Sequence, residues 1–156
     1  MKATAMSLTH QDVVEHLRRI IDADRIIDDE ATLKLASVDH YRKLQTIFDT
    51  HTMQLPAAVV MANSTDEVSK ILAFADANDV NVVARTGGTA TEGGLESGTD
   101  RSIVVDGSLM NEIISIDAYN MQATVQCGVP LQLLEDACRE QGLTTGHSPQ
   151  SKPIAS

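Results

Sequence analysis

The chain has 156 residues, 42% of them hydrophobic and 22% charged, with 22 acidic against 12 basic side chains and a formal charge of -10. That length suits one domain with a real core and is too short for two ordinary ones. The acidic balance argues against a surface that neutralises nucleic-acid phosphates, and four aromatics (Tyr41, Phe48, Phe74, Tyr119) are too few for a base-stacking platform.

No apolar run approaches the ~20 residues of a bilayer-spanning helix. Met1-Lys2-Ala3-Thr4-Ala5-Met6 leads into polar sequence and is not expected to be a signal peptide. Thr9 and Asp12 form a helix-start cap, and Val13, Leu17, Ile20 and Ile21 follow at helical spacing. A second, less regular helical stretch is expected from Glu30 to Phe48.

After Pro56 the texture changes. Ala57 to Met61 reads as a buried strand. Asn63 to Glu67 supplies a cap and first-turn acids for a helix whose apolar stripe is Val68, Ile71, Leu72 and Ala75. Asn78-Asp79 ends that helix and Val80 to Ala84 is a second strand, so a β-α-β unit with parallel pairing is expected. Further strands are expected at Ile103–Asp106, Ile113–Asp117 and Ala123–Gln126, with a turn at Tyr119-Asn120. A helix then runs from Pro130 to Gln141 and stops at Gly142. The class is α+β, with a helical region over 1–50 and a second region over 51–156.

Ten residues separate Cys127 from Cys138, with no C-x-x-C and no histidine at ligand spacing. Two reduced thiols in or near the core are expected, and no metal site.

The passage richest in chemistry is Arg85-Thr86-Gly87-Gly88-Thr89-Ala90-Thr91-Glu92-Gly93-Gly94. Glycines let a backbone approach a phosphate and aim successive N–H groups at it. A P-loop is excluded, because Gly94-Leu95 stands where Lys-Ser/Thr must follow. A Rossmann fingerprint fits poorly: no G-x-G-x-x-G is present and the loop follows the second strand, not the first. Two readings remain. One is a loop wrapping a dinucleotide pyrophosphate with backbone donors; the other is a structural glycine turn between strands. Arg85 is one of five basic residues after position 50, so N–H dipoles would supply most of the compensation.

The strand–capped helix–strand succession with R-T-G-G-T-A-x-x-G-G resembles the FAD-binding PCMH-type domain of the vanillyl-alcohol-oxidase superfamily. So do Ile103 to Ile113 and Val125-Gln126-Cys127-Gly128-Val129. The stretch Gly142 to Ser151 is most similar to the alkyldihydroxyacetonephosphate synthase branch and its bacterial flavin-oxidase relatives. The resemblance runs from about Pro56 to Ser156, and Asp39 falls at a recurrent acidic position before it.

The resemblance implies a PCMH-type fold with a small parallel start and mainly antiparallel strands after it. It implies FAD as cofactor, with Arg85, Thr86, Gly87, Gly88, Thr89 and Ala90 along the pyrophosphate. His147, Pro149, Gln150, Ser151 and Ser156 would lie toward the flavin and ribityl portion. His147 is either such a contact or an ordinary loop histidine. Thr86 departs from the usual glycine and needs a negative φ, or strain of about 1 kcal/mol. Ala90 departs from the usual serine and loses a hydroxyl donor worth ~1 kcal/mol. Thr89 stands where some members carry a histidine bonded to FAD, so non-covalent FAD is expected.

The resemblance also implies that further flavin-binding strands and a substrate domain follow in such enzymes, and no catalytic residue can be named here. The chain is expected to be the first part of an FAD-linked oxidoreductase, 2-hydroxy-acid- or alkylglycerone-phosphate-synthase-like. The alternative is a complete but degenerate interaction module. Self-association or a complementing C-terminal partner is expected, with a cytoplasmic location and a small-molecule substrate only in a full-length enzyme.

Overall fold

The computed structural model describes residues 8–39, 42–48, 50 and 54–156. Met1 to Met6, His40, Tyr41 and His51 lie outside the described residues. Helix α1 covers His10–Leu17, opened by a reciprocal capping box in which Thr9 accepts from the Asp12 amide and the Asp12 carboxylate accepts from Thr9. Ile20 and Ile21, expected within this helix, sit in the turn beyond it, where Ile21 is still buried. The stretch from Glu30 to Phe48 is two helices, α2 Glu30–Ala36 and α3 Lys43–Ile47. Strand β1, Ile26–Ile27, follows a short 3-10 turn at Ala23–Arg25 and has no counterpart in the sequence reading.

Strand β2 is Val59–Met61, helix α4 Thr65–Asn78, strand β3 Asn81–Arg85 and strand β4 Ser102–Asp106. Ser64 caps α4 by accepting from the Glu67 amide, and Asp79 closes it in the left-handed region at φ 55°. The sheet order is β1-β2-β4-β3. Both partners of β4 are parallel to it, whereas β1 runs antiparallel to β2. The first two strands of the β-α-β unit are therefore parallel but not neighbours, because β4 inserts between them. The antiparallel part is a separate hairpin, β5 Ile113–Asp117 with β6 Gln122–Val125. Helix α5, Leu131–Glu140, follows it.

Both faces of the four-stranded sheet are covered, which is why β2 and β4 read as unbroken apolar runs. Val60, Ile103 and Val105 point to one core with Val13, Val14 and Leu17 of α1 and Ile71, Phe74 and Ala75 of α4. Val59, Val83 and Val104 point to the other, beneath Leu33 and Ala36 of α2. The His16 and Phe74 rings stack with centroids 5.1 Å apart, joining α1 to α4. Leu72, expected in the stripe of α4, is 47% exposed, and Phe74 takes the buried position. A bidentate pair locks the same corner: Arg25 Nη1 and Nη2 each lie 2.6 Å from a Glu67 oxygen.

Cys138 is buried, but Cys127 is exposed, contrary to a packing role. Its neighbour explains this. Gly128 is wedged so tightly that a Cβ there would lie 2.3 Å from the Gly107 carbonyl oxygen, and the Cys127 thiol lies against Gly107, its Sγ 4.0 Å from that carbonyl, rather than in the core.

Candidate functional site

The glycine loop leaves β3 at Arg85, whose carbonyl accepts from the Gly107 amide at 2.9 Å. The Arg85 guanidinium does not project outward. Its Nε lies 3.7 Å from Asp106, Nη1 donates to the Ala36 carbonyl at 3.3 Å, and Nη2 would meet a Cβ on Gly88 at 2.9 Å. Arg85 thus underpins the loop from inside. Gly88 has φ +65°, a conformation glycine adopts without strain. Thr86 is not among the residues with positive φ, so the strain considered for it does not arise. Gly87 is needed for space: a Cβ there would fall 2.0 Å from the Ile154 carbonyl oxygen.

Among the described residues, the amides of Gly88, Thr89 and Ala90 donate to no protein acceptor. The three residues are only half-buried. Such a run of partly covered, unpaired donors fits an anionic oxygen group, since buried amides otherwise find a partner.

The chain end closes over this loop. Residues 149–155 form a tight turn in which Lys152 N–H donates to the Pro149 carbonyl, and Ile154 and Ala155 N–H both donate to that of Ser151. Gly87 N–H donates to Ser156 Oγ at 2.9 Å. The same turn caps α5: Leu131 N–H donates to Ala155 O at 2.7 Å and Gln132 N–H to Lys152 O at 3.1 Å. Pro130, at the cap position, has no side-chain acceptor, so these carbonyls satisfy first-turn donors instead.

Glu135 fixes the segment leading to His147. It is 2% exposed, on the inner face of α5, and accepts from Thr145 Oγ1 at 2.6 Å, Thr145 N–H at 2.8 Å and Thr144 Oγ1 at 2.9 Å. Arg139 pairs with it at 2.6 Å. The Thr145 hydroxyl, then its amide, hold the Glu135 carboxyl at about 2 against an ordinary 4.5. The sequence pattern missed this residue, since a glutamate in an amphipathic helix reads as surface; the two threonines nine and ten positions on were the available signal.

Two clefts flank the loop. One, of about 490 Å³, is bordered by Thr89, Cys127, His147, Pro149, Ser151 and Ser156, five of which are expected site residues. The other, of about 330 Å³, is bordered by Arg85 and Thr86 together with Thr65, Gly107 and Met110. Cys127 borders both. Gly87, Gly88, Ala90 and Gln150 border neither cleft, and Gln150 is exposed. His147 is also exposed and stands at the rim.

A loop of free amides after a parallel strand, closed by a polar turn and flanked by clefts, fits a dinucleotide-binding module. Residues 56–156 match the family model described as FAD binding domain. The chain belongs to this family, within the vanillyl-alcohol-oxidase superfamily, and its cofactor is FAD. It is 55% identical over 150 residues to the uncharacterized FAD-linked oxidoreductase YgcU of Escherichia coli K12, covering 96% of this chain and 31% of that protein. It is 30% identical over 146 residues to alkyldihydroxyacetonephosphate synthase of Trypanosoma brucei, covering 90% of this chain and 24% of that protein. A solved alkyldihydroxyacetonephosphate synthase superposes with a TM-score of 0.83 at 22% identity, over 98% of this chain and 29% of that one. The chain thus spans roughly a third or less of these relatives' length. Among the described residues no helix is long and apolar enough to cross a membrane.

Proposed function

We propose that this chain forms the pyrophosphate-holding portion of a non-covalent FAD site in a flavin-dependent oxidoreductase. The observation that carries the reading is the run of unpaired amides at Gly88, Thr89 and Ala90, beside the cleft bordered by Thr89, His147, Ser151 and Ser156. In this reading the amides donate to phosphate oxygens, Gly87 lets the 149–156 turn seat against the loop, Thr86 borders the neighbouring cleft, and Arg85 holds the loop's shape. Pro149, Ser151 and Ser156 line the approach to the flavin end, with His147 at the rim and Gln150 exposed between Pro149 and Ser151. Ala90 contributes its amide only. Bound FAD supplies hydride or adduct chemistry at the flavin; the residues here bind it, orient it and exclude water.

We further place residues 51–156 as the cofactor unit and residues 1–50 as a helical region, whose α1 and α2 pack against the sheet of that unit. The substrate class is a 2-hydroxy acid or an acylated dihydroxyacetone phosphate, supported by relatives named D-lactate dehydrogenase, glycolate oxidase subunit and alkyldihydroxyacetonephosphate synthase. A second copy or a complementing chain pairs with the β5–β6 hairpin. That sheet contains only these two strands among the described residues, and the hairpin exposes Ile114 on β5 and Met121 in its turn. The location is cytoplasmic, supported by two free cysteines as a reducing compartment keeps them.

Titration of the chain with FAD, followed by flavin absorbance and thermal melting together, tests the cofactor reading. A ligand specific for the folded state adds about 2.7 kcal/mol at 100 times its Kd. Saturable uptake with a raised melt is expected. A folded chain that takes up no FAD would contradict the reading.

A further inference from the structure

We propose that Ala36, Asp39 and Arg42, which precede the family-matched segment, act as a clamp that sets the shape of the glycine loop, with Asp39 as the positioning residue for FAD. Three contacts carry this. Arg85 Nη1 reaches the Ala36 carbonyl at 3.3 Å at the loop's start. Gly93 N–H donates to the Asp39 carboxylate at its middle. Arg42 Nε lies 2.8 Å from Glu96 Oε1 at its far end. The unpaired amides of Gly88, Thr89 and Ala90 fall between the first contact and the second.

Asp39 is 2% exposed and Gly93 has φ +85°, so the bond is a partly buried, charge-assisted one to a backbone position that glycine alone holds without strain. From Thr86 to Gly98 the chain has no helix or strand of its own. An irregular segment of that length exchanges conformations freely unless tertiary contacts restrain it, and ordering it upon binding subtracts from affinity. The clamp orders the loop before the cofactor arrives. The three anchors come from the end of α2 and the chain after it, so the helical region serves the site without touching the ligand.

The inference rests on the FAD reading and deepens it. Its test compares wild type with Asp39→Ala, Asp39→Asn and Glu96→Gln by two measurements: amide hydrogen exchange over residues 86–94 without ligand, and FAD Kd. Asp39→Ala is expected to speed exchange of the bonded amides of this stretch, those of Gly87 and Gly93, and to weaken FAD about ten-fold, the equivalent of one lost hydrogen bond to a charged group. Asp39→Asn, which keeps an acceptor oxygen, recovers most of both. Glu96→Gln, at a half-exposed pair, gives the same signs with smaller size and remains measurable if Asp39→Ala fails to fold. Unchanged exchange in Asp39→Ala or Glu96→Gln overturns the clamp. Faster exchange with an unchanged FAD Kd overturns the coupling to the cofactor. If wild type itself takes up no FAD, the cofactor reading fails, and the exchange rates still decide the clamp.

Discussion

The Ile154 carbonyl occupies the space in which a side chain on Gly87 would begin, 2.0 Å from the position of its Cβ. The loop and the chain end therefore meet backbone to backbone, and Ser156 Oγ accepts from the Gly87 amide at the same point. Gly87→Ala is expected to push residues 151–156 off the loop and to cost about 1–3 kcal/mol, the range for overpacking a fitted site. Gly88→Ala differs in cause: its Cβ meets only the end of the Arg85 side chain, but at φ +65° it pays backbone strain of about 1–2 kcal/mol. Chemical denaturation with FAD titration checks both. Equal behaviour of Gly87→Ala and wild type would refute the close-approach account.

Glu135 gives the fold an acid-sensitive joint. Its carboxyl is held at about 2 in the folded protein against an ordinary 4.5. The folded pKa is depressed, so the stabilisation is fully present above about 4.5 and is lost as pH falls toward 2. Stability is expected to drop over that window, and Glu135→Gln is expected to flatten the dependence while lowering stability near neutral pH. Melting curves between pH 2 and 7 read this out. A parallel profile in wild type and variant would mean the Thr144–Thr145 segment is held by something else.

Arg25 and Glu67 join the 3-10 turn before β1 to the first turn of α4. The Arg25 guanidinium holds the Glu67 carboxyl below its ordinary value, helped by the Asn63 amide. Glu67→Gln is expected to destabilise by about 1.5–3 kcal/mol, the scale of hydrogen bonds to charged groups. FAD Kd should stay near the wild-type value, because neither residue borders a cleft at the loop. Urea unfolding gives the first quantity and flavin absorbance the second.

Thr89 stands at the loop position where the resemblance would put a flavin-bonded histidine, and the proposed FAD site is non-covalent. Acid precipitation of the FAD-loaded protein is expected to leave all flavin in the supernatant. Yellow colour retained in the pellet would contradict non-covalent binding.

Local signals in the sequence carried through wherever the cause was local. The Thr9–Asp12 box, the Ser64 cap and the Asn78–Asp79 stop each depend on groups within four residues, and each is where it was read. Gly142 likewise follows the last turn of α5 with φ +73°. What failed to show depended on distant groups. The insertion of β4 between β2 and β3 is decided by packing on both sheet faces, which no spacing encodes. β1 is two isoleucines flanked by charged residues, too short to stand out. Cys127 looked like a core thiol until Gly128 met Gly107. At the site, the loop was legible because glycine spacing is itself the chemistry. Asp39 and Glu135 gave only an isolated acid each, since their partners lie 54 and about ten positions away.

The arrangement around Cys127 makes the molecule its own reporter. One thiol is sealed in the interior and the other stands on the ridge shared by the two clefts. A reagent that alkylates exposed sulfur therefore marks a single address, and the speed of marking registers the filling of either neighbouring hollow with no engineered label.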